Sequence, residues 1–243
     1  MNRTAIITAA LGASALAGVG WALRRRRGDE IIRSIEGSTV IPIITPVIEI
    51  PTAEYVLSRM EHMPIDEVTI VLHTEGGCVT SCVMIADALR RFTRSTAIVP
   101  YMAISGGTLI ALNAQSLKMG RNAALSAVDP QIFGQRARHI PKTDEDGFYP
   151  LAQEYDSAVS GFLEDTLRAR MQSTRREALI KAMEVFMGTK APHAWPVKLP
   201  EIRDLGLPVE TAEPGWASFV DTYRREVSKH RVIAYSSPLG ARR

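Results

Sequence analysis

Two short stretches hold residue types suited to acyl transfer. Gly76 and Gly77 follow a run of strand formers, Glu67 to Leu72. Consecutive glycines let the chain turn sharply and present backbone N–H groups to a ligand. The second stretch, Ile104-Ser-Gly-Gly-Thr108, stands where a strand gives way to a helix. A serine there has its hydroxyl exposed, and the amide after it points into the same space at a helix N-terminus. Each stretch alone has a plainer reading, the glycine pair as a turn and Ser105 as a helix N-cap. Side by side at the ends of adjacent parallel strands, they describe a nucleophile, Ser105, with an oxyanion hole formed by the N–H groups of Gly77 and Gly106. The glycine turn lacks the third spaced glycine of a dinucleotide fingerprint and the Gly-Lys-Ser/Thr of a phosphate loop.

Other reactive residue types read as structural. His73 ends a strand with no acid partner evident, His62 and His230 read as surface residues, and Asp129 before Pro130 reads as shaping a loop. Cys78 and Cys82 are too few for a disulfide framework. Four apart on a predicted helix, they share a face and are poorly placed to bridge each other. Cys78 lies beside the glycine turn, but no base for a nucleophilic thiol is nearby in sequence. No Cys/His cluster has zinc-ligand spacing, so neither metal nor cofactor is expected.

The elements that must position these residues alternate. Short apolar runs at 40–44 and 47–50 are punctuated by Pro42, Pro46 and Pro51, which marks them as edge or irregular strands. A helix is predicted over 53–63, a strand over 67–72, and an apolar helical periodicity over 79–92. A strand at 96–101, a helix from Ser105 through Ala114 and short strands at 117–119 and 123–126 follow. That order predicts βαβ crossovers and a mainly parallel sheet in an α/β fold. Residues 129–150 form a polar stretch with little secondary-structure signal, a length that in compact domains usually carries function. Amphipathic helices are predicted at 151–171 and, behind a Thr174/Glu177 capping box, up to 187, with further helices at 199–205 and 216–229.

Composition excludes some classes. The 243 residues are 46% hydrophobic and 23% charged, which excludes a disordered chain. The net charge of +3 is unevenly spread: residues 1–27 hold five arginines and no acid. Of 29 basic groups 24 then remain against 26 acidic ones, a net of −2 for the body, so no nucleic-acid partner is expected. Residues 4–23 carry no charge and span about 30 Å as a helix, enough for a bilayer core. A cleaved signal peptide competes, with Ala13-Ser-Ala15 as a small-x-small site, but the four-arginine block at 24–27 suits an anchor better. The expected layout is an anchor with its basic flank at 1–30, a catalytic domain at 31–235 and a flexible tail at 236–243. The lipid bilayer is contacted through 4–23, and this single-pass protein keeps its catalytic domain on the cytoplasmic face.

Several motifs together resemble the serine dehydrogenase proteinase family of the Clp/crotonase superfamily, related to signal peptide peptidase A. They are Leu72-His-Thr-Glu-Gly-Gly77, Val99-Pro-Tyr-Met-Ala-Ile-Ser-Gly-Gly-Thr-Leu-Ile-Ala-Leu112 and Ser126-Ala-Val-Asp-Pro-Gln131. Glu36-Gly-Ser-Thr-Val-Ile41, His193-Ala-Trp-Pro196 and Leu205-Gly-Leu-Pro-Val209 extend the similarity over most of 36–209. The resemblance implies a Clp/crotonase-like ββα spiral fold and a membrane-associated serine endopeptidase acting on peptides or membrane-protein segments, with Ser105 as nucleophile. It also implies a homo-oligomer. Relatives of this type use a lysine as general base, and Lys142 is the matching position, which gives a Ser105–Lys142 dyad. A free lysine titrates near ~10.4 and a useful base near ~7–8, so that role requires burial. His139 is the runner-up base.

This chain departs from the family pattern in three places. Glu75 stands where proline is usual, Pro141 precedes Lys142, and Arg136 and Arg138 make the loop basic. Two other readings follow from the same residues. One is a crotonase-type acyl-CoA enzyme using the same two-amide hole, with Glu75 as its acid/base. The other is a catalytically silent scaffold that assembles through the helices after residue 150.

Overall fold

The computed structural model describes residues 35, 38–63, 67–143, 147–171 and 176–226. The chain divides into a unit of residues 39–217 and a second made of the chain up to 38 and from 218 onward. In the first unit, β1 (Val40–Ile44) is followed by α1 (Ile50–Glu61), β2 (Glu67–His73), α2 (Val79–Leu89) and β3 (Arg94–Val99). Then come β4 (Met102–Ala103), α3 (Gly106–Asn113), β5 (Ser116–Met119) and β6 (Ala124–Leu125). A hairpin of β7 (Gln131–Ile132) and β8 (Gln135–Arg136) runs into a 3₁₀ turn (Ala137–His139). The long α4 (Tyr149–Arg170), α5 (Arg176–Phe186), β9 (Val197–Lys198), α6 (Leu199–Asp204) and β10 (Glu210–Thr211) complete it. A last helix, α7 (Gly215–Glu226), begins in this unit and continues into the second.

The main sheet is wholly parallel, in the order β1-β2-β3-β5-β10. Ile43 lies opposite Leu72, Ile70 opposite Ala97, and Ala97 opposite Leu117. Crossover helices cover such a sheet, so its strands read as apolar runs rather than as alternation. β1 is an edge strand, where Pro42 leaves no ladder bond unmade on its outer side. A smaller sheet, β4-β6-β9, is parallel between β4 and β6 and antiparallel between β6 and β9. Between the layers α3 is buried from Gly107 to Asn113, as its lack of any polar face requires. At its C-terminal end Arg90 joins three helices: Nε donates to Asn113 Oδ1 at 2.6 Å, one Nη to Thr166 Oγ1 at 2.6 Å, and the guanidinium lies 4.1 Å over the Phe162 ring.

The strand expected at 47–50 is reduced to a single bridge, Ile48 to Gly77, because Pro51 sits in the first turn of α1 and starts that helix at Ile50. The featureless stretch expected from 129 contains the β7–β8 hairpin, whose tip Phe133-Gly134 has φ of 50° and 78°. Phe133 is 87% exposed and meets the Phe148 ring edge-on at 5.1 Å.

No helix among the described residues is long and apolar enough to cross a membrane, and the expected single-pass membrane protein with a cytoplasmic body is corrected accordingly. The 22-residue α4 has the length, but Glu154, Asp156, Glu164, Asp165, Arg168 and Arg170 interrupt it. Residues 4–23, on which that expectation rested, lie outside the described residues, as does the tail at 236–243.

Arg170, at the end of α4, ties together the backbone at the end of α3 and the segment before β10. Its guanidinium donates to the carbonyls of Ala114, Leu112 (3.4 Å) and Pro208 (3.0 Å). Burial pulls its pKa down to about 10, so it stays protonated at neutral pH. Arg170→Ala is expected to destabilise the fold by about 2–4 kcal/mol in urea denaturation, since the carbonyls of buried Leu112 and Ala114 lose a charged donor. A shift under about 0.5 kcal/mol would show that water replaces the guanidinium. In the second unit, the Ser38 N–H and hydroxyl both donate to Ile35 O, at 3.0 and 2.9 Å, and the Phe219 and Tyr223 rings lie 6.1 Å apart.

Candidate active site

The turn after β2 is pinned from both sides. On one side Ile48 N donates to Gly76 O (2.7 Å), Cys78 N to Ile48 O (2.8 Å) and Glu75 N to Pro46 O (3.0 Å). On the other, Thr74 N donates to Met102 O and Ile104 N to Thr74 O, at 3.3 and 3.0 Å. Thr74 is fully buried, and its Oγ1 takes the Gly76 N–H at 3.1 Å. These bonds fix Gly76 at φ 104°, a conformation that disfavours any side chain.

The Ser105 turn is held as firmly. Ser105 N donates to Ser126 Oγ at 2.8 Å, and Ser126 Oγ donates onward to Ala127 O at 2.9 Å. Thr108 Oγ1 accepts the Ser126 N–H at 2.9 Å and donates to Ala103 O at 2.6 Å. The serine sits at φ 53°, ψ −121°, outside the extended region an N-cap uses, and its side chain makes no capping bond. The plain N-cap reading therefore fails.

The two turns meet. A Cβ built on Gly76 would lie 2.7 Å from Ser105 Cβ and 3.0 Å from Gly106 N. One built on Gly106 would lie 2.2 Å from Cys82 Sγ and 3.8 Å from Gly77 N. Among the described residues no protein acceptor takes the N–H of Gly77 or of Gly106. Ser105, Gly77 and Gly106 are thus brought together, half-buried or exposed at one surface.

Lys142 is not joined to them by any hydrogen bond; it is exposed, in the turn after the 3₁₀ segment, and His139 is exposed as well. The two loop arginines are engaged elsewhere, Arg138 with Asp156 at 2.9 Å and Arg136 with Asp129 at 3.2 Å. Glu75 is exposed.

Sequence reasoning passed over a buried cluster around Asp129, which is 1% exposed. Its carboxylate accepts from His193 Nδ1 (2.8 Å), Arg136 Nε (3.2 Å) and Gln131 Nε2 (3.1 Å). The Arg136 Nη groups donate to the carbonyls of Gly188 and Ala191, which ties the hairpin to the segment after α5. A carboxylate can only accept in this contact, so the His193 Nδ1 carries the proton that joins them. The partners are 64 residues apart, and no local pattern in either segment announces the pairing.

The cysteines differ sharply. Cys78, ahead of α2, is exposed, and the backbone N–H of Ser81 leads the influences that hold its thiol below the ordinary range, against a smaller opposing effect of burial. Cys82 is buried, which pushes its thiol up to about 12.

A family model described as ClpP-like SDH-type serine proteinase matches residues 21–240. Two uncharacterized proteins of Methanocaldococcus jannaschii are similar in sequence. MJ0137 is 29% identical over 231 residues, covering 88% of this chain and 80% of its own. MJ1495 is 28% identical over 211 residues, covering 79% and 70%. Among solved structures, ClpP1 from Listeria monocytogenes matches with a TM-score of 0.53 at 14% identity, covering 76% of this chain and 99% of that one. A variant of the same protein scores 0.54. At that identity the likeness speaks for a Clp-like mixed α/β fold alone, while the family match covers nearly the whole sequence. The chain belongs to the ClpP-like SDH-type serine proteinases.

Proposed function

We propose that this chain hydrolyses peptide bonds with Ser105 as nucleophile and the N–H groups of Gly77 and Gly106 as the oxyanion hole. The observation that carries the reading is Ser105 itself. It holds a strained backbone conformation, caps nothing, and stands beside two unclaimed amides. Attack of Oγ on a peptide carbonyl breaks the C–N bond through a tetrahedral oxyanion; the amine leaves protonated, and water then releases the acyl group. Membership of a serine proteinase family supports the same chemistry.

Lys142 is the proposed base. A lysine abstracts a proton only as the neutral amine, and exposure favours the ammonium, so the role requires the loop to be shielded when substrate or a second copy is bound. The homo-oligomer stays part of the proposal, supported by Leu151 on α4, Ile180 on α5 and Phe133, all left exposed. A second reading of the base rests on the Asp129–His193 pair, which already has the orienting hydrogen bond that a histidine base needs. The acyl-CoA alternative assigns the strained serine no role and is the lesser reading, and a silent scaffold would not need one at all.

Labelling with a fluorophosphonate, which reacts with activated serines, tests these readings. Wild type is expected to label at Ser105 and Ser105→Ala not at all. Lys142→Ala is expected to slow labelling by about 10²-fold or more, with His193→Ala close to wild type. The reverse pattern would move the base to His193, and an unlabelled wild type in its assembled form would sink the peptidase.

A further inference from the structure

An attacking serine can lend its own backbone N–H to the oxyanion. In this chain that amide is already taken: Ser105 N donates to Ser126 Oγ at 2.8 Å. The acceptor is itself fixed. A serine hydroxyl has one proton, and that of Ser126 goes to Ala127 O at 2.9 Å, so towards Ser105 it can only accept. The Ser126 N–H is held at 2.9 Å by Thr108 Oγ1, whose own proton goes to Ala103 O at 2.6 Å. Ser126 and Thr108 are both fully buried, so neither hydroxyl can turn to solvent instead.

Two hydroxyls therefore form a clasp around the Ser105 turn, one from α3 and one from the residue after β6. The turn needs one. At φ 53°, ψ −121° a residue with a Cβ is strained, and a serine free to relax would return to the extended region and cap α3 with its own Oγ. The other bonds of the turn grip different groups. Ile104 N donates to Thr74 O at 3.0 Å and Gly107 N to Ile104 O at 2.9 Å, while Ser105 O takes the Leu109 N–H at 3.2 Å. Among the described residues, the Ser126 bond is the one that holds the Ser105 amide itself.

We propose that Ser126 is a positioning residue for the serine site. By claiming the Ser105 N–H it keeps the serine in its strained turn, keeps the side chain from capping α3, and confines the oxyanion hole to Gly77 and Gly106. Without the Ser126 hydroxyl the amide loses its acceptor and the turn relaxes. The Ser105 hydroxyl then serves the helix instead of the substrate. The hold on the turn stands on the bonds themselves; its consequence for catalysis rests on the serine-peptidase reading.

Three measurements on the full chain test it. In wild type, which needs no substitution, the Ser105 amide should exchange with deuterium at least about 10²-fold more slowly than the unclaimed amides of Gly77 and Gly106, as read by NMR. Urea titrations then close a cycle with Ser105→Gly, a chain with no strain to release. Ser126→Ala should raise the unfolding constant about fivefold or more further in the Ser105→Gly chain than in wild type, because only wild type recovers strain when the bond is cut. A residue that merely packs would cost the same in both. Fluorophosphonate labelling of Ser105 should fall at least about 30-fold in Ser126→Ala, since the nucleophile has left its working geometry. Fast exchange at Ser105 in wild type, or equal costs in the two backgrounds, overturns the clasp. Unchanged labelling in Ser126→Ala overturns its part in catalysis. If wild type never labels, the peptidase reading fails, and the exchange rates and the urea cycle still decide the hold on the turn.

Discussion

Replacing Ser105 with glycine is expected to abolish peptide hydrolysis and, in the same molecule, to stabilise the fold by about 1 kcal/mol. The first effect follows from loss of the proposed nucleophile, on the order of 10⁴-fold or more in kcat. The second follows from the backbone. At φ 53°, ψ −121° a residue with a Cβ is strained, at about 1–3 kcal/mol, whereas glycine adopts this conformation freely. The more flexible unfolded state of glycine returns up to about 1 kcal/mol of that gain. Ser105→Ala keeps the Cβ and therefore the strain, so it should lose activity with almost no change in stability. Urea titrations of the three proteins, paired with fluorophosphonate labelling, read both quantities. A glycine variant less stable than wild type would mean that the Ser105 turn is not under strain. The hydrogen bond from Ser105 N to Ser126 Oγ, which all three can make, is the control that holds the turn in place.

The second large effect is expected at Gly106. A methyl group there would lie 2.2 Å from Cys82 Sγ and 2.9 Å from Cys82 Cβ, far inside contact distance, in a buried site with no room to yield. The amide must then move, and with it one of the two donors proposed to hold the oxyanion. Loss of one such donor reduces kcat by roughly 10²–10³-fold. Gly106→Ala should show that loss with Ser105 still present and the chain folded. Adding Cys82→Ala removes the sulfur and should recover part of the rate, whereas Cys82→Ala alone should stay near wild type. Steady-state kinetics on a peptide or ester substrate measure all three. Full activity in Gly106→Ala would remove its N–H from the mechanism. Gly77→Ala would be a blunter probe, because its Cβ would fall 2.1 Å from the backbone oxygen of Ile48, which no side-chain rotation can relieve.

Much of the scaffold was legible because its signals are local. The runs at 67–72 and 96–101 read as strands from their β-branched and apolar residues, and the structure has them at Glu67–His73 and Arg94–Val99, each largely buried over its second half. The Gly76-Gly77 pair read as a turn because few other residues tolerate φ of 104° and 155°, and Pro42 marked an edge or irregular strand that lies at the edge. What stayed hidden depends on distant partners. The φ of Ser105 is imposed by Ser126 and by the Thr74–Ile104 bond, so the serine looked like an ordinary cap in sequence. Asp129 looked like a loop residue because His193 and the carbonyls that hold Arg136 come 52 to 64 positions later or apart. The hairpin at 131–136 escaped because its tip is Phe133-Gly134 and lacks the Asn-Gly or Asp-Gly pair that favours φ > 0 at both positions. The uncharged stretch at 4–23 supported a membrane location that the described helices do not bear out.

The separation of Asp129 from His193 also bears on the timing of synthesis. Everything that shapes the two amide turns, from Pro46 to Ser126, precedes Asp129 in the chain. A ribosome adding roughly 5–20 residues per second needs about 3–13 seconds to reach His193 from Asp129. During that interval the nascent chain has its turn residues in hand but carries an acid and an arginine whose later partners do not yet exist. The hairpin can be locked down only once the segment after α5 emerges. The chain's own order thus lets the two amide turns find their partners early and leaves the hairpin waiting for residues not yet made.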